Sequence, residues 1–99
     1  MNLPAIILHN EKDETIETKP LLDCGAGGIF IDQNFARKHG LRLMKLNNLI
    51  KARNVDGTEN KQGTIHFDTD LWIKVGDRYF DEWFYVTGLG NQKVILGYP

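Results

Sequence analysis

"PLLDCGAGGIFID", residues 20–32, changes character twice within a few positions. The run Pro20-Leu21-Leu22 leads into a lone carboxylate, Asp23. Cys24 and the small residues Gly25, Ala26, Gly27 and Gly28 follow, and the chain then turns β-branched and aromatic at Ile29-Phe30-Ile31. A carboxylate at the end of an apolar run is costly to bury unless something pairs with it. The small residues let the backbone turn sharply and let another backbone come close. The residues alone leave two readings open. Asp23 either bonds its own downstream backbone in an Asx-type turn, or it is an ordered carboxylate held by strand residues Leu21 and Leu22 and presented to a partner.

Working outward, the pattern is mostly period two. Residues 4–9 form an apolar strand, "NEKDE" (10–14) a polar turn, and "TIETKPLLD" (15–23) a returning strand, which together predict a hairpin. Pro20 lacks a ladder donor and belongs at an edge or a bend. "IDQNFARKHGL" predicts a helix of about two turns. Asp32 is its N-cap, Phe35, Ala36 and His39 lie at helical spacing, basic groups fill the last turn, and Gly40 stops it. Residues 41–54 carry mixed signals, helix-compatible early and extended by 49–54. "NVDGTENKQG" (54–63) is rich in turn residues around Asp56-Gly57, a strong hairpin dipeptide.

From 65 to 75 the alternation is clear. Ile65, Phe67, Leu71, Ile73 and Val75 share one side, His66, Asp68, Asp70 and Lys74 the other, with Trp72 out of pattern. Gly76-Asp77 turns the chain into "RYFDEWFYVTG", whose large residues of both parities predict a strand covered on both faces. "GLGN" (88–91) is a last turn before "KVILG" (93–97). About seven short strands and one helix favour a small closed or sandwiched β domain.

Composition bounds the function. Ninety-nine residues make one domain, with 41% hydrophobic and 25% charged residues, as expected of a globular chain. The net charge of −1 with interspersed signs gives no footprint for nucleic acid. One cysteine precludes an internal disulfide and fits a reducing, cytoplasmic setting. His9, His39 and His66 lack metal-ligand spacing, so no metal or other cofactor is expected. The N-terminal apolar run is short and has no basic leader, and no segment approaches the roughly 20 apolar residues that cross a bilayer. A soluble protein without a membrane partner is the expectation.

At Asp23 the sequence resembles a family. "LLDCGAGGIFID" is similar to the active-site loop of retropepsin-like aspartic proteases, in which two apolar residues precede Asp-Thr/Ser-Gly-Ala. "FIDQNFARKHGL" resembles the strand and short helix that follow this loop in gypsy-type LTR retrotransposon polyproteins. "NVDGTENKQG" resembles their flap, and "VILGYP" their apolar-apolar-Gly strand. The match runs through nearly the whole chain in order. It implies an all-β, retropepsin-like closed β-barrel lobe with one short helix, acting as an aspartic endopeptidase on a retrotransposon polyprotein inside the cell or an intracellular particle.

The resemblance also implies roles. Asp23 is the catalytic carboxylate, and one motif per chain requires Asp23 of a second copy across a two-fold axis. Gly25 lets the two loops pack closely and Ala26 borders the substrate cleft. Val55, Asp56, Gly57 and Thr58 form the flap tip that closes over an extended peptide. Cys24 departs from the family's Thr or Ser, and its thiol is a weaker hydrogen-bonding group for locking the loops together. The family continues past the final strand with a helix and a dimer strand, whereas this sequence stops at Tyr98-Pro99; a single domain over 1–99 without those elements is expected.

The rival reading is a catalytically inactive domain of the same fold that binds peptides or serves assembly. A small lipid or ligand carrier is a third, disfavoured by the bulky alternating residues. Trp72, Trp83, Phe80 and Phe84 read as core or partly exposed strand packing. Asp68 and Asp70, on alternate strand positions, read as a solvated face and not as a dyad, and His39 as a surface residue at a helix end.

Overall fold

The computed structural model describes residues 5–10, 12, 14–23, 27–53 and 59–97. Its longest strand grows from the alternation noted above. This strand runs over Glu59–Val75, and Ile65, Leu71 and Ile73 are buried along its inner face. Two residues of the same parity, Phe67 and Val75, are instead exposed, and Thr69 is buried between them. The Thr69 hydroxyl donates to the carbonyl of Arg42 at 2.7 Å, which satisfies a group otherwise costly to bury.

In chain order the elements are β1 (Ile6–His9), β2 (Thr15–Thr18), β3 (Leu21–Leu22), β4 (Ile29–Asp32), α1 (Gln33–Lys38), β5 (Met44–Arg53), β6 (Glu59–Val75), β7 (Arg78–Thr87) and β8 (Val94–Leu96). The strands join in one curled, half-barrel sheet of order β2-β1-β6-β7-β4-β8-β3, with β5 paired to β6. This is an all-β lobe with one short helix, as expected. The eighth strand arises at Pro20, whose buried ring divides the predicted second strand into β2 and β3.

Two boundaries differ from the sequence reading. The helix-compatible start of 41–54 is strand from Met44 onward, because Met44 and Lys45 pair with Asp68 and Phe67. Residues 59–63 are strand as well, since Arg53 pairs with Glu59 and the ladder is already under way. Both show pairing overriding weak local preference.

A third difference concerns β7. It pairs with β6 from Val75↔Arg78 to Phe67↔Val86, but β4 joins it only at Tyr85, Val86 and Thr87. The first half is therefore a ribbon end without a second flank. Tyr79, Phe80 and Trp83 are 54%, 44% and 51% exposed there, not covered on both faces, while Phe84 and Val86 lie in the core.

The core gathers Ile6, Leu8, Ile31, Ala36, Leu71, Ile73, Phe84 and Val94. α1 seals one side of it through Ala36. Gly40, at φ +62°, ends the helix as only glycine does cheaply. Its N–H donates to the carbonyl of Arg37 and that of Leu41 to Ala36, a Schellman pair that turns Leu41 back into the core.

Asp32 caps the other end and does more than capping. Its Oδ2 accepts from the N–H groups of Asn34 and Phe35, both at 3.1 Å, and its Oδ1 accepts from the N–H of Leu89 at 3.0 Å. One buried carboxylate thus fixes the helix start and the turn after β7. Asp32→Ala removes the acceptor from three N–H groups at once. The expected cost is about 2–3 kcal/mol, read as a lower urea midpoint; a loss under about 0.5 kcal/mol would contradict this role.

Candidate functional site

The loop that opens at Asp23 leaves β3 and re-enters the sheet on β4. β8 lies between those two strands. It runs parallel to β3, with Leu21↔Ile95 and Leu22↔Leu96, and antiparallel to β4, with Ile29↔Leu96 and Ile31↔Val94. The ends of the loop are held by the same short segment. The Asp23 N–H donates to the carbonyl of Leu96 at 3.0 Å, and the N–H of Gly97 donates to the carbonyl of Gly28 at 2.7 Å. A further bond, from the N–H of Asp32 to the carbonyl of Lys93 at 2.8 Å, anchors β8 at its start.

Local sequence explains the shape. Gly27 sits at φ +71°, where a side chain would be strained. Gly28 backs onto an aromatic pair: a Cβ there would lie 3.2 Å from the Tyr85 ring. Tyr85 and Phe30 are register partners on β7 and β4, with ring centroids 5.6 Å apart. Asp23 itself is half-buried, at the junction of strand and loop. Cys24, Gly25 and Ala26 lie outside the described residues. So do Val55, Asp56, Gly57 and Thr58, between the paired ends Arg53 and Glu59 of β5 and β6.

A second carboxylate arrangement was only partly visible in the sequence. Asp70, on the outer face of β6, is joined not to Asp68 but to Asp81 of β7. The hydrogen bond to Asp81 pushes the Asp70 carboxyl up to about 6, helped by partial burial and by repulsion from Asp81 and Asp68. Burial also raises Asp68, against a backbone hydrogen bond that lowers it. Asp81 escaped the sequence reading because antiparallel register, not spacing along β6, brings it to Asp70. The pair lies on an exposed hairpin face. His39 is half-buried, its ring against the edge of Phe35 at 4.5 Å.

Among the described residues no His, Cys, Asp and Glu cluster has the makings of a metal site, and no helix is long and apolar enough to cross a membrane. A curled all-β lobe with a single carboxylate at the mouth of a glycine-rich loop, clasped by a strand running between the loop's two stems, is the lobe of a retropepsin-like protease domain. The family comparison carries this further. The family model for the PEG10/RTL1 protease domain matches residues 19–99, and the chain belongs to that family, a retrotransposon-derived retropepsin-like domain. A search of curated proteins found no match to the chain.

Proposed function

We propose that the chain is an aspartic endopeptidase that processes a polyprotein, with Asp23 as its catalytic carboxylate and the active site completed by a second copy. The observation that supports this reading is the clasp on the Asp23 loop: backbone hydrogen bonds at both of its ends fasten to the sheet the loop that carries the Asp23 carboxylate. This sequence carries one such loop, so in this reading the second acid of the pair that an aspartic peptidase uses comes from a second chain.

The chemistry follows from two carboxylates in one site. They cannot both ionise comfortably, so they share a proton and titrate as a pair. The ionised member takes a proton from a water molecule, which attacks the peptide carbonyl. The protonated member donates to the carbonyl oxygen and stabilises the tetrahedral intermediate. The β5–β6 hairpin, carrying Val55, Asp56, Gly57 and Thr58 at its connection, would close over the bound peptide as a flap.

Self-assembly gives this reading a direct test. Activity per chain should rise with chain concentration and level off as the dimer fills, in parallel with sedimentation. Cleavage whose specific rate is independent of concentration in a range where the chain sediments as a monomer would reject the shared site. A folded monomer without pepstatin-sensitive cleavage at any concentration would instead favour the inactive, peptide-binding reading that Cys24 motivates.

A further inference from the structure

The outer face of the β6–β7 hairpin is unused by the protease reading. Register sets Asp70 opposite Trp83 and Trp72 opposite Asp81, so two indoles and two carboxylates alternate on one surface. Trp72 is 48% exposed and its neighbours Tyr79 and Trp83 a little more. Aromatic side chains of this size, left half in water and clustered, mark a contact surface.

A recess adjoins them. Along the edge opposite β7, β6 changes partner, from β5 at Met44↔Asp68 to β1 at His9↔Trp72. In that interval lies a pocket of about 210 Å³ bordered by Asn10, Arg42, Met44, Asp70 and Trp83. It has room for one long side chain.

Charge selects the occupant. Asp68, Asp70 and Asp81 share the β6–β7 face with Lys74, and Arg42 stands at the border of the recess, so three carboxylates face two cations among the described residues. The Lys74 ammonium is already placed 5.7 Å over the Tyr79 ring, so the face uses one of its aromatic residues to hold a cation. We propose that this face docks an extended segment of a partner protein bearing arginine or lysine, with one cationic side chain seated on Trp83 against Asp70 and Asp81. Guanidinium and ammonium groups combine the two attractions that the surface offers, carboxylate pairing and the indole face. The inference does not depend on Asp23.

Binding should respond to pH. Protonated Asp70 is held by its hydrogen bond to Asp81; as pH rises through about 6 it ionises and the face gains one negative charge. The other titratable or charged groups around it are Asp68, His66 and Lys74 on β6, Tyr79 and Tyr85 on β7, Arg42 ahead of β5, and His9 at the end of β1.

The test is a titration of the Asp23→Asn chain, expected to cleave its probe at most slowly, with a blocked peptide carrying several arginines, followed by tryptophan emission and backbone amide shifts. Saturable shifts confined to residues 66–74 and 79–85 and to Asn10, Arg42 and Met44 at the recess are expected, with affinity about ten-fold weaker in Trp83→Ala and in Asp81→Asn. Affinity should drop when pH is lowered past the Asp70 titration, and a glutamine-for-arginine peptide should not bind. Both substitutions are at exposed positions, and the amide spectrum reports that the fold persists. Shifts centred on Asp23, Leu96 and Gly97, binding indifferent to both substitutions, or self-association through this face without peptide would each overturn the proposal.

Discussion

An Asp23→Asn chain should hydrolyse a cognate polyprotein peptide about 10²- to 10⁴-fold more slowly than the parent, the range that a positioned acid or base contributes. It should still fold and assemble. Asparagine keeps the shape of aspartate, and the bond from the backbone N–H of residue 23 to Leu96, which seats it in the sheet, is left in place. Hydrolysis rates and sedimentation on the same samples separate these effects. A rate within a few-fold of the parent, from a variant that still dimerises, would remove Asp23 from the mechanism.

The largest expected loss of stability comes from Phe84→Ala. Phe84 is fully buried and packs in the main core cluster from the middle of the sheet, opposite Thr69. Truncating a buried phenylalanine costs about 3–5 kcal/mol, the lost transfer energy plus the cavity left behind. A domain of this size is stable by about 5–15 kcal/mol in all. The variant should therefore unfold at a far lower urea concentration, and a substantial fraction should be unfolded at body temperature. By contrast Phe80→Ala, four residues earlier on the exposed ribbon end, should shift the midpoint little. Equal losses at the two positions would show that the ribbon end is packed in solution.

These two phenylalanines also show where the sequence was readable. Both look alike in "RYFDEWFYVTG", and alternation alone assigns them the same face, correctly. It does not say that β4 reaches β7 only from Tyr85 onward, which is what buries one and exposes the other. The helix was legible because its signals are local: Asp32, the basic last turn and Gly40 act within a few residues of one another. The second oxygen of Asp32, bound to Leu89, was not, since that partner is brought near by the sheet. The same limit hid Asp81 behind the more obvious Asp68. The loop at Asp23 stood out by composition and by resemblance, but its clasp depends on parallel pairing of β3 with β8, which no hairpin or turn signal announces.

That clasp orders events in time. Leu96 and Gly97 come last among the described residues, while the loop they hold begins at Asp23. On a ribosome the glycine-rich loop emerges well before residues 94–97 and waits for them before its stems are bridged. Closing contacts so far apart in the chain is among the slower steps of folding. Under the proposed mechanism, a nascent or prematurely terminated chain that lacks the 94–97 segment would hold its carboxylate without that clasp, and hydrolysis would wait until the segment is made.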